Sequence, residues 1–273
     1  MTSTSLHPTP SSRTVATEQF RAVGLALRTE MILFICALIL FSALIIGNTI
    51  HGVQTHPPEH WRTGFTYGAP VATPLFLMAL LIPFGVWRAE DPSRRAYHWS
   101  MPVARGPHTI AKVFAGWAWL MIAAAVYLLF VVALALILPT ITGEVSRFGD
   151  AAVWEWIVAF TAPTLGYLLT SIAVIGSDHA WRWVGGLYIG YWVLIGCLFA
   201  FGMQDAAQAV RTITDGAYGL NAAMIGAGRD AASVSSAHMM VRGLSMSNWL
   251  IAMPLWLVGS GIAVTIASYR HRE

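Results

Sequence analysis

The run HGVQTHPPEH places His51, His56 and His60 near one another, and imidazoles so grouped can bind zinc or copper, with Glu59 able to add an oxygen. Pro57 and Pro58 interrupt the backbone between them, and the spacing does not repeat a helical turn throughout. The run therefore reads as a polar external loop, and no metal is expected. A nucleotide site can be judged directly, because a phosphate loop needs G-x-x-x-x-G-K-[ST]. The only lysine, Lys112, follows Ala111 and precedes Val113, so the chain has no such loop. No nucleophile stands with a base, and no catalytic residue or cofactor is expected within the chain. None of the nine histidines lies inside an uncharged apolar window, which argues against axial haem ligands. Retinal chemistry would need a buried lysine, whereas Lys112 falls at a helix start. Proton carriers usually place carboxylates at mid-membrane, and Glu155 and Asp178 only bracket the fourth apolar window.

What remains is the chemistry of docking. The segment Trp87 to Lys112, WRAEDPSRRAYHWSMPVARGPHTIAK, carries five of the sixteen Lys and Arg residues between two long uncharged runs. Asp91 followed by Pro92 reads as a helix N-cap with proline at the first position, and Met101-Pro102 should stop that helix near Ser100. At helical spacing Arg94, Tyr97, His98 and Met101 share a face, a mixture of cation, aromatic and flexible apolar groups suited to a protein groove. Arg95, Trp99 and Arg105 complete the candidate docking set. Positive charge alone would be explained by membrane orientation, but a loop that only orients does not need Tyr97 and Trp99. A second break at Gly106-Pro107 leads to an expected helix start near His108.

These residues must be positioned by membrane helices. Windows 31–50, 63–87, 113–143, 156–177, 183–204 and 243–269 lack Asp, Glu, Lys, Arg and His, and each meets the roughly 20 residues that a helical span needs. Lipid offers the backbone no hydrogen-bond partners, and the runs are too long and continuously apolar for barrel strands. With 56% hydrophobic and 11% charged residues, the chain suits a bilayer rather than water. The expected fold is an all-α integral membrane protein with six spans, at about 31–50, 64–87, 110–138, 154–176, 183–203 and 248–269. Residues 1–16 read as a flexible cytoplasmic tail. Residues 17–30 read as an amphipathic interfacial helix, with Phe20, Val23, Gly24 and Leu27 on one face and Arg21 and Arg28 on the other.

Counting Lys and Arg on alternate sides puts eleven of sixteen with the two termini, so both ends are expected in the cytoplasm. The net charge of +3 thus reflects orientation, and nucleic-acid binding is not expected. Trp61, Trp87, Trp154, Trp156, Trp181, Trp183 and Trp249 lie at or near window ends, where amphipathic rings favour headgroups. Pro74, Pro83, Pro163 and Pro254 fall within the spans and can kink them. Cys36 and Cys197 read as small hydrophobes packed inside spans.

This order resembles the membrane subunit of an ATP-binding cassette exporter of the type-2 permease class. An interfacial helix comes first, then six spans, a basic loop with a short helix between spans two and three, and a long segment before span six. The run RRAYHWSMPVARGPHTIAK is similar to the arginine, proline and lysine pattern of the coupling helix in that family. The resemblance implies that Arg94, Arg95, Tyr97, His98, Trp99, Met101 and Arg105 dock a separate ATPase, which binds ATP and Mg. It also implies a second permease copy, location in the bacterial inner membrane and export as the direction.

The resemblance further places a re-entrant or interfacial element before span six, where the uncharged run 216–228 is too short to cross. Gly186 and Gly190 in span five form a small-xxx-small pair that permits close backbone approach. An export pathway between two copies would be lined in part by Ser42, Asn48, Thr73, Tyr188 and Tyr191. The apolar spans suit a hydrophobic or amphipathic substrate. The competing expectation is a non-transporting anchor or assembly factor that recruits a soluble partner through the same loop.

Overall fold

The computed structural model describes residues 12–55, 73–88, 105–143, 153–177, 179–216, 218–220, 223 and 246–270. The regular elements among them are all helices: α1 Ser12–Ala26, α2 Arg28–Thr55, α3 Thr73–Trp87, α4 Arg105–Thr142, α5 Val153–Gly176, α6 Ala180–Ala200, α7 Gln204–Asp215 and α8 Met246–Arg270. Five of these, α2, α4, α5, α6 and α8, are long and apolar enough to cross a bilayer. The chain is a multi-pass helical membrane protein. α3 is equally apolar, but it has 15 described residues, and 64–72 of the expected second span lie outside the described region.

Helix ends follow local chemistry more closely than charge windows do. α4 begins at Arg105 and takes Gly106-Pro107 into its first turn, where the expectation was a break with a start near His108. Proline costs little there, because first-turn N–H groups have no helical acceptor to lose. At its other end α4 passes through Pro139 and stops at Gly143, whose φ of 73° and N–H to the Pro139 carbonyl make a left-handed glycine cap. Gly202, at φ 72°, ends α6 in the same manner: its N–H reaches the Phe199 carbonyl and that of Met203 reaches Leu198. α7 starts immediately afterwards.

Two long helices form the centre. α4 packs against α1, α2, α3, α5 and α8, while α5 also takes α3, α8 and α6, and α6 carries α7. The main core joins Leu27, Phe34, Leu75, Ile82, Leu120, Ala124, Tyr127 and Tyr167 among others. Lipid tails are as apolar as leucine, so contact between spans depends on shape and hydrogen bonds rather than on escape from water. Tyr167 shows both: its hydroxyl donates to the Val113 carbonyl at 2.7 Å, and it fits against Gly116, where a Cβ would collide with the phenol oxygen. One turn along α4, Trp117 Nε1 donates to Thr164 Oγ1 at 3.1 Å. Hydroxyls elsewhere in the spans, such as Thr170 and Ser268, donate to carbonyls four residues back, which satisfies them within their own helix.

Several side chains lie differently from their expected places. Trp249, expected at a headgroup boundary, is 2% exposed and packs with Val158, Ala162 and Met253. Cys36 and Cys197 are exposed on helix surfaces instead of packed inside, because among the described residues no helix covers the faces of α2 and α6 that carry them. Pro83, Pro163 and Pro254 stand inside helices, whereas Pro74 is the second residue of the described part of α3.

Candidate functional site

The expected docking loop leaves the bundle after α3 and returns at α4, so the site is defined by what holds those two ends. Arg94, Arg95, Tyr97, His98, Trp99 and Met101 lie outside the described residues, and Arg105 is the first residue of α4. The helix ends on either side are bound to each other and to their neighbours.

At the departing end, Trp87 closes α3 and Arg88 follows it. Arg88 Nη1 stands 3.9 Å from Glu30 Oε1 in the first turn of α2, with the guanidinium mostly exposed and the carboxylate largely enclosed. Gly85 makes this approach possible, since Leu27 Cδ2 would be 2.7 Å from a Cβ there. At the returning end Lys112 is buried, with Nζ 4.3 Å from the centroid of the Trp87 ring. The ring's negative face offsets part of the cost of taking the ammonium from water. Lys112 therefore sits in the third turn of α4, two turns inside the helix.

α1 braces the returning end from outside. Gln19 Nε2 is 2.8 Å from His108 Nε2, and Trp119 Nε1 donates to the Phe20 carbonyl at 3.0 Å. The Phe20 and Trp119 rings stack with centroids 5.1 Å apart, and Gly24 lies flat on the same indole. Val23 is buried, as is Leu27, the single residue between α1 and α2. The apolar stripe of α1 is thus spent on α4, with Arg21 and Arg28 exposed. The helix starts at Ser12, within the segment that composition marks as a tail.

Other helix ends join the same frame. Tyr269 of α8 lies against Gly106 of α4, and Phe84 of α3 stacks on Trp181 of α6 with centroids 3.9 Å apart and 7° between planes. The ends of α3 and α8 and the starts of α2, α4 and α6 therefore meet at one end of the bundle. Among the described residues no group of three or more His, Cys, Asp or Glu side chains stands together as a metal site.

The expected pathway residues are distributed over three helices. Ser42 is half-buried and Asn48 exposed on α2, whose main packing partner is α4; Thr73 opens the described part of α3. Tyr188 is 68% exposed on α6, whereas the half-buried Tyr191 hydroxyl lies 2.7 Å from Thr214 Oγ1 of α7. Both tyrosines touch the Trp192 ring edge-on. His51 is exposed near the end of α2, and His56 and His60 lie outside the described residues.

Sequence reasoning missed Glu30, Gln19 and His108, and it missed α7 as a helix. Glu30 had a signal, being an acid placed next to the first apolar window. α7 also had one: Ala206, Ala207 and Val210 fall at helical spacing between polar residues, and Ala207 is buried. Beyond Asp215, Trp256 Nε1 of α8 donates to the Tyr218 carbonyl, while Ala223 packs with Leu165 and Ala252. Compared with known proteins, no family model, curated protein or solved structure matches the chain.

Proposed function

We propose that the chain is the permease subunit of an ATP-binding cassette exporter of the type-2 permease class. It carries a hydrophobic or amphipathic substrate and is driven by a separate ATPase docking on the 88–112 loop. Six spans with both termini cytoplasmic, a place in the bacterial inner membrane and a working pair of permease copies belong to this reading. ATP and Mg are held by the partner, and this chain's part is to receive the movement.

The observation that carries the proposal is the anchoring of both loop ends. Lys112 of α4 is buried over Trp87 at the end of α3, and Arg88 lies 3.9 Å from Glu30 of α2, so α2, α3 and α4 are in contact at the point where the loop joins them. A loop that merely oriented the protein would need no such anchorage. Closure of the ATPases would push the short helix expected at Pro92 to Ser100, and the anchors would pass that push to the spans.

The test is purification of the full chain in mild detergent, identification of what accompanies it, and an ATPase assay of the complex. Arg94→Ala combined with Tyr97→Ala should reduce ATPase recovery by about tenfold, as expected for two docking contacts of roughly 1 kcal/mol or less each, while membrane insertion is unchanged. Equal recovery with unchanged transport would remove the loop from the docking role. A copurifying partner with no nucleotide site would favour the anchor reading.

A further inference from the structure

We infer that the corner where α3 ends and α6 begins is a binding site for the headgroup of an acidic glycerophospholipid. The site does not depend on what docks on the loop. The close Phe84–Trp181 stack fixes the last turn of α3 beside the first turn of α6. Arg88 follows Phe84 by four residues, so it leaves α3 on that same side and one turn nearer the helix end. Arg182 adjoins Trp181, and its side chain is exposed. Two arginines therefore belong to this corner, one within a turn of Phe84 and the other next to Trp181 in the chain.

Both arginine side chains are exposed among the described residues. The ion pair of Arg88 with Glu30 is long, at 3.9 Å, and 83% of the arginine side chain remains exposed. Guanidinium offers paired N–H donors that match phosphate oxygens, and its weak hydration suits a partly desolvated interface. The anion is identified as a lipid by what continues from the corner. Trp181 and Trp183 are each 59% exposed at the helix start, the position where such rings favour the headgroup region. Along the same helix Leu187, Tyr188 and Ile189 are exposed and lie where an acyl chain would run. A soluble phosphate would gain nothing from that apolar surface.

Native mass spectrometry of the full chain, released from micelles containing equal amounts of phosphatidylglycerol and phosphatidylcholine, tests the site. The wild-type chain should retain phosphatidylglycerol preferentially, and high salt should reduce that retention. Arg88→Gln with Arg182→Gln should lower it about tenfold, as expected for two interfacial cations, whereas Arg21→Gln with Arg28→Gln should leave most of it. Added inorganic phosphate should not displace the lipid. Equal retention of the two lipids, retention indifferent to salt, an equal loss in the Arg21 and Arg28 variant, or displacement by inorganic phosphate would each overturn the proposal.

Discussion

Tyr167 and Gly116 show how single residues hold spans together where the hydrophobic effect does not choose between them. A methyl at position 116 would meet the phenol oxygen and also Val86 Cγ2, at 3.0 Å. Gly116→Ala should therefore cost about 1–3 kcal/mol of stability by overpacking. Tyr167→Phe should cost about 1 kcal/mol for the lost hydrogen bond to Val113. The double variant should be less destabilised than the sum, because removing the hydroxyl makes room for the methyl. Thermal unfolding of the four proteins in one detergent checks this, and strict additivity would mean that the two groups do not touch. Gly24→Leu applies the same test to the α1 brace, since any side chain there meets the Trp119 indole. It should lower the unfolding temperature and red-shift tryptophan emission as Trp119 is uncovered. At this scale the chain can be read only in part, because a glycine in a sequence does not say what lies against it.

At the scale of elements, most helices could be expected from uncharged windows, but their ends depend on caps. α4 accepted Pro107, since proline is harmless in a first turn, and stopped at Gly143, since a left-handed residue ends a helix more firmly than a change in polarity. α1, expected at the membrane surface, also lays its apolar face along the first part of α4, through Gln19, Phe20, Val23 and Gly24. Removal of residues 1–26 should consequently expose the Trp119 side of α4. The truncated protein should insert in the membrane yet unfold at a lower temperature and, on the proposed function, lose ATPase coupling. Normal stability and coupling would reduce α1 to a surface anchor. Lys112→Met should lower stability by about 2 kcal/mol, the size of a desolvated cation–π contact, and, on the proposed function, should weaken stimulation of the ATPase by the complex.

For the whole molecule, the orientation that belongs to the proposed function can be read by labelling. With Cys36 and Cys197 replaced by serine, Thr55→Cys at the exposed end of α2 should react with an impermeant thiol reagent added outside cells, and Arg21→Cys should react only after lysis. The reverse pattern would reverse the assigned orientation and remove the loop from the cytoplasm. The membrane character of the chain was determined by its sequence alone, because long runs without charge have no stable home in water and their backbones are satisfied in lipid only as helices. Which helices meet, and where, was decided only in three dimensions. Glu30 finds Arg88, Gln19 finds His108 and Trp181 finds Phe84 across long stretches of chain, by contacts that depend on side-chain shape and hydrogen-bond geometry. Hydropathy cannot rank such partners, because one apolar surface is as soluble in lipid as another.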